Sequence, residues 1–312
     1  MALVKSGNAS LGIASASLAA LCWGGAMVMS KGALDNFYPM TLLIIQLIVS
    51  VTFLWCVVVC RKATAPSGRK LIGLSLLGLL EPCLTYVLVL IGLTYTGATE
   101  ASLLQALESI MIVVLAMLLF KEMPSIKFVY LSVMVLTGLF IALDVRAGNI
   151  NGDWYGGTLV SLGMFCAAGY VVLSARVAKG QDIFYTLACQ QTLALVVSIF
   201  MLPLEWVLYP DNKPLPDVSG EWGVWVLALA SGIVQYAFAF SFYIFSLRYI
   251  RAGLAGMFLN LIPVVGVLGA VVFLGERLSP WQAGGAALTM LALVLIARNS
   301  SSETVAVDGV MK

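Results

Sequence analysis

Histidine is absent from the 312-residue chain, and charged side chains make up only 10% of it. Without an imidazole, the commonest general base and the commonest metal ligand are both missing. Cysteine does not fill the gap. Cys22, Cys56, Cys60, Cys83, Cys166 and Cys189 all fall inside apolar stretches and none forms a CxxC pair, so neither a disulfide frame nor a zinc site is indicated. There is no GxSxG nucleophile turn and no GxxxxGK[ST] nucleotide loop. A membrane-embedded hydrolase or transferase therefore finds little to work with, primary ATP-driven pumping lacks its engine, and no metal or other cofactor is expected. Lys and Arg number 17 but are scattered through the polar breaks, which argues against a nucleic-acid partner.

What is abundant is apolar residues: 61% of the chain, with a mean hydropathy of +1.02, a composition that belongs in lipid. A helix crossing the hydrocarbon core needs about 20 mostly apolar residues. Ten such stretches follow one another, near 10–30, 40–60, 71–92, 98–120, 126–143, 156–177, 183–206, 222–247, 253–274 and 280–297. Only helices of this length satisfy their own backbone polar groups in a bilayer. The expected fold is an all-α membrane protein of ten transmembrane helices. Residues 1–9 are expected as an N-terminal segment, 10–143 and 156–297 as two five-helix units joined by a 144–155 loop, and 298–312 as a disordered polar tail. The first stretch reads as a helix and not as a removable signal peptide.

Positive charge orients the chain. With the N-terminus inside, Lys31, Arg146, Lys213 and Arg277 fall outside and the other 13 basic residues fall in or beside inside segments. Both termini are then cytoplasmic, in the cell's inner (plasma) membrane.

The two units repeat each other. Shifted by 154 residues, "GLTYTGATEASLLQALESIMIVVLAMLLFKEM" (92–123) lies without a gap over "SLRYIRAGLAGMFLNLIPVVGVLGAVVFLGER" (246–277). Tyr95 meets Tyr249, Ala98 meets Ala252, Ala101 meets Ala255 and Glu122 meets Glu276. Earlier in each unit the shift is 144, and Ser30 and Gln46 meet Ser174 and Gln190. Five helices is an odd number, so the second copy enters from the opposite face. Such a 5+5 inverted repeat puts substrate sites near the midplane between the halves and suits alternating access. Gly12, Ala16, Ala20 and Gly24 recur every fourth residue of the first stretch as a smooth ridge for close helix contact, and Gly266, Gly269 and Ala270 play the same part in the ninth.

The segments "ALCWGGAMVMSKGAL", "YTGATEASLLQALESIMIVVLAMLLFKE" and "YIRAGLAGMFLNLIPVVGVLGAVVFLGERLSPWQAGGAALTMLALVLIA" resemble the EamA-type members of the drug/metabolite transporter superfamily. The resemblance spans roughly residues 12–297 and is most specific from Leu261 to Gly284. It implies a ten-helix inner-membrane carrier, often an exporter of amino acids or other metabolites, with a central cavity walled by both halves. Two features depart from that pattern. Glu108 and Ser109 stand where the first copy usually has Pro, and "FLGER" appears in the first copy only as "LFKEM".

Two acids sit deep in apolar sequence. Glu81 and Glu108 each lie about eleven residues into their stretches, near mid-depth at about 1.5 Å per residue. A charge there costs about 2.5 to 3.5 kcal/mol on insertion scales, so such residues mark function unless they serve as protonated interhelical glue. Gln105 shares a face with Glu108. Under the repeat Glu81 falls on Gln235 and Tyr86 on Phe240, and Asn260 and Pro263 mark the matching part of the ninth stretch. Glu81, Glu108, Gln105, Gln235, Asn260 and Tyr86 are therefore expected to form a substrate or coupling site, with helix breaks at Pro82 and Pro263 freeing carbonyls toward it. Trp23, Tyr170, Gln46 and Gln190 are candidate walls, with shared packing as the alternative for each. Glu100 is read as a solvated or vestibule charge, and the Gly275–Arg277 turn as a helix end carrying a surface ion pair.

No Lys or Arg lies deep in any stretch, which favours a zwitterionic or cationic substrate over a polyanion. The expected function is secondary active transport, outward, of a small metabolite such as an amino acid or amine, with the proton as candidate coupling ion. A uniporter, an exchanger or a channel-like permease without ion coupling is the alternative, and an enzyme is disfavoured. Expected partners are the substrate, protons and the bilayer, with the protein a monomer or weak homodimer.

Overall fold

A computed structural model describes residues 6–63, 68–120, 125–142, 153–177, 182–209, 222–246, 248–250, 255 and 258–310. All regular structure among them is helical: α1 (Ser6–Ala33), α2 (Pro39–Arg61), α3 (Gly68–Gly78), α4 (Thr85–Tyr95), α5 (Ala98–Leu104), α6 (Ala106–Phe120), α7 (Ile126–Ala142), α8 (Asp153–Val177), α9 (Ile183–Leu208), α10 (Trp222–Gly232), α11 (Phe240–Ser246), α12 (Leu261–Phe273) and α13 (Pro280–Val310). Widened π turns, Leu79–Leu84 and Ile233–Ala239, join α3 to α4 and α10 to α11. Among the described residues, seven helical stretches are long and apolar enough to cross a membrane; α7, α12 and Pro280–Ile296 are shorter apolar helices.

The helices fall on the stretches expected from composition, with three differences. α13 stays helical to Val310, where a disordered tail was expected. No proline follows Pro280, and each added residue extends an existing helix without a new nucleation step. α1 begins at Ser6 and α8 at Asp153, each three or more residues ahead of the anticipated start. The start of the ninth stretch, Arg146, Lys213 and the Glu122 counterpart of Glu276 lie outside the described residues.

The packing carries the duplication. α2 lies along α9, and α7 along α13. α8 packs against α4 and α6, while α1 packs against α11 and α12. α3 crosses α9 as α10 crosses α2. Shifting one half onto the other exchanges the members of each pair, so the leading helix of each half is gripped by its opposite half and the main core lies between them.

Small residues set these crossings. Backbone comes so close that a Cβ at Gly78 would overlap the Gln190 backbone, and one at Gly232 would lie 2.6 Å from the Gln46 backbone. Gly78 and Gly232 are repeat equivalents, as are Gln46 and Gln190. The α1 ridge behaves as its spacing predicts: a Cβ at Gly12 would lie 2.8 Å from Ile250, one at Gly24 2.7 Å from Val265, and Ala16 and Ala20 are fully buried. Likewise a Cβ at Gly269 would meet Val28 at 2.8 Å, and one at Gly266 would overlap Ser102.

The π turns are also repeat equivalents, but their causes differ. In the first, Pro82 has no N–H and would collide with the preceding turn, and Glu81 adopts the extended φ −142°, ψ 124° that a residue before proline favours. The Leu80 carbonyl accepts the Thr85 N–H and, at 2.9 Å, the Thr85 Oγ1 hydroxyl as well. The second turn has no proline; there Gln191 Nε2 reaches across from α9 to the Tyr236 carbonyl at 2.8 Å. In both, a side-chain donor bonds to a carbonyl of the widened turn. The fourth stretch is interrupted at Gln105 and the ninth at Asn260, with Pro263 in the first turn of α12, where proline is tolerated.

Replacing Gly78 or Gly232 by Val should cost about 1 to 3 kcal/mol through overpacking, read as a lower thermal midpoint in detergent. Gly73→Val, where an added Cβ meets nothing within 4 Å, should leave it unchanged. Equal midpoints for all three would refute the close-crossing account.

Candidate functional site

The π turn at Leu79–Leu84 turns Glu81 inward, where 8% of its surface stays accessible. Glu108, in the first turn of α6 just after the Gln105 break, is half-buried. The two carboxyl groups are close enough to interact electrostatically. Among the described residues neither accepts a hydrogen bond or an ion pair, yet neither is sealed off from a water-sized probe.

Aromatic rings surround them. The charge of Glu81 is felt at Tyr86, Tyr170, Tyr236 and Tyr243, and that of Glu108 at Tyr86 and Tyr243. Tyr86 and Tyr236 meet edge-on at 4.7 Å, and Trp23 meets Phe240 at 5.2 Å and Tyr243 at 5.6 Å. Tyr170 completes the wall against Phe240 at 6.2 Å.

Gln46 and Gln190 hold two of these rings. Tyr236 donates its hydroxyl to Gln46 Oε1 at 3.4 Å, and Tyr170 donates to Gln190 Oε1 at 3.1 Å. Gln46 Nε2 donates to Ser30 and Ser231 at 3.0 and 2.7 Å, and Gln190 Nε2 to the Leu74 carbonyl at 3.1 Å. Ser30 donates on to Gln235 Oε1 at 3.2 Å, and the Gln235 side chain also meets the Tyr86 hydroxyl. Asn260 Oδ1 accepts from Ser109 at 2.8 Å, tying α12 to α6. Six buried polar atoms have no partner among the described residues, Trp23 Nε1, Gln105 Oε1 and Ser241 Oγ among them. Glu81, Tyr86, Gln235, Glu108 and the aromatic walls are thus drawn into one neighbourhood by these interactions. Asn260 is joined to it through Ser109, the neighbour of Glu108.

A cavity of about 350 Å³ lies elsewhere, at the end of the bundle where α1, α4 and α12 finish and α5 begins. Its walls include Lys31, Thr99, Glu100, Glu276, Arg277 and Gln282, and none of the six expected site residues lines it. Lys31 Nζ donates to the Leu93 and Thr96 carbonyls at 2.6 and 2.8 Å. It also feels the charges of Glu276, Asp35 and Glu100. Gly275, at φ +67°, ends α12 and brings Glu276 N back to the Ala270 carbonyl at 3.2 Å. The Glu276 carboxylate is not committed to a surface ion pair, as the sequence suggested. It caps α5, accepting from Ala98 N at 2.7 Å and Thr99 N at 2.9 Å, where the helix end is positive. Glu100 does border this vestibule, as expected.

Sequence reasoning missed Glu205, 2% exposed in the last turn of α9. It caps α2 from another helix, accepting from Met40 N at 2.7 Å, Thr41 N at 3.0 Å and Thr41 Oγ1 at 2.5 Å. Two signals pointed there: an acid at a helix C-terminus, where the dipole opposes it, and α2 opening on Tyr38-Pro39 with no capping side chain of its own.

The sequence profile of the EamA-like transporter family matches residues 10–143 and again 154–298. No curated protein gives a significant match. Among solved structures, one titled "Crystal structure of protein" is similar at 20% identity and a TM-score of 0.62, covering 95% of this chain and 99% of that one, which speaks to fold alone. With both halves matched in register, the chain is a membrane protein belonging to the EamA-like transporter family.

Proposed function

We propose that this protein is a secondary carrier, ten-spanning as a 5+5 inverted repeat with both termini cytoplasmic, that exports a small amine or zwitterionic metabolite across the inner membrane. Glu81 and Glu108 are its substrate and coupling site. The observation that carries this reading is the pair of mid-span carboxyls without a hydrogen-bond partner among the described residues, set where helices of the two halves meet. Carboxyls serving only as interhelical glue would spend their oxygens on neighbouring donors, as Glu205 does. Gln105, Gln235, Asn260 and Tyr86 supply neutral hydrogen-bonding groups around them, and a proton or an ammonium can each complete the carboxyls. Occupancy by one or the other is the basis of coupling.

Alternating access requires one mouth shut at a time. Lys31 ties the end of α1 to α4, and Glu276 ties the end of α12 to α5, and these ties support a reading in which that mouth is the one held shut. Charge bias makes it the outer one.

In proteoliposomes, Glu108→Gln should abolish pH-gradient-driven transport while the protein still inserts and folds. Normal transport with unchanged pH dependence would refute the assignment. Flux that never saturates with substrate would favour a channel, and saturable flux indifferent to a pH gradient an uncoupled carrier. Lys31→Met should loosen the closed mouth and raise labelling of a Thr99→Cys reporter by an impermeant maleimide several-fold, in a background where the exposed Cys56 and Cys60 are Ser. Unchanged labelling would contradict the latch.

A further inference from the structure

The partnerless groups in the carboxyl neighbourhood are unequal in kind. Glu81, Glu108 and Gln105 Oε1 are acceptors awaiting a donor. The partnerless donors, Trp23 Nε1 and the Ser241 hydroxyl, are neutral. Lys31, at the end of α1, is engaged at the bundle end by two carbonyls. Two of the tyrosine hydroxyls are committed elsewhere: Tyr170 and Tyr236 donate to Gln190 and Gln46. The rings of Tyr86, Tyr170, Tyr236 and Tyr243, all within reach of the Glu81 charge, are joined by those of Trp23 and Phe240. Electron-rich ring faces attract a cation, most strongly when it is stripped of water. A substrate carboxylate entering the same space would meet two acids of like charge with no cation to offset them.

From this we infer that the site selects a net-cationic amine on a compact apolar body, and discriminates against the zwitterion and the anion of the same body. The inference rests on the carrier reading above. The ammonium bonds to Glu81 or Glu108 and to Gln105 Oε1, while Tyr86, Tyr236, Tyr243 and Trp23 enclose the rest. The second carboxyl keeps a proton, so a monocation leaves no unpaired buried charge.

Three probes sharing one ring test it: phenethylamine (cation), phenylalanine (zwitterion) and 3-phenylpropionate (anion), measured by calorimetry on the purified full-length protein and by counterflow in proteoliposomes. Phenethylamine should bind about tenfold or more tighter than phenylalanine, with 3-phenylpropionate undetectable. Tyr243→Phe should retain that affinity, since the ring and not the hydroxyl is used, whereas Tyr243→Ala should lose about tenfold. Phenylalanine binding as well as or better than phenethylamine, with the binding lost in Glu81→Gln, would overturn the cation preference and leave the carrier site standing. Binding of no probe, or binding indifferent to both Glu81→Gln and Glu108→Gln in folded protein, would overturn both.

Discussion

The structure depends on how each acid in a nearly uncharged, lipid-facing chain is satisfied. Glu205 and Glu276 are given backbone N–H groups at helix starts, where peptide dipoles welcome negative charge. They fix where helices begin and which helix ends lie together. Glu81 and Glu108 receive no such groups. In a low-dielectric interior, an acceptor left open is expensive unless something outside the protein fills it. That contrast among four carboxylates separates those that hold the fold from those that await a proton or a ligand.

Duplication builds the waiting pair into a place where the two halves meet. The leading helix of each half is held by the other half, so neither half encloses a site alone. Close crossings at Gly78 on Gln190 and Gly232 on Gln46 each lie beside a π turn. The same glutamines hold Tyr170 and Tyr236 in the aromatic wall. Crossing geometry and site geometry therefore share residues, which is what coupling between ligand and helix movement requires physically.

Much of this was legible before any coordinates. Apolar length located the helices, since lipid admits little else, and the 154- and 144-residue shifts identified which residues of the two halves correspond. The spacing of Gly12, Ala16, Ala20 and Gly24 foretold the α1 contact face. Glu81 and Glu108 stood out because insertion cost marks them. Less visible were effects that depend on who lies across a gap. Ile233–Ala239 forms a π turn with no proline to announce it, because the donor to its free carbonyl comes from Gln191 on another helix. Glu276 looked like half of a surface pair and turned out to cap α5, since its partner lies 178 positions away in sequence. The polar run after Arg298 read as disorder because composition carries no record of the helix feeding into it.

The most direct measurement is carbodiimide modification mapped by mass spectrometry. A hydrophobic carbodiimide reacts with protonated carboxyls it can reach in an apolar setting. The account predicts adducts at Glu81 or Glu108, none at Glu205 or Glu276, and protection by phenethylamine. Adducts confined to the capping acids, or labelling of Glu81 and Glu108 that no amine suppresses, would contradict it.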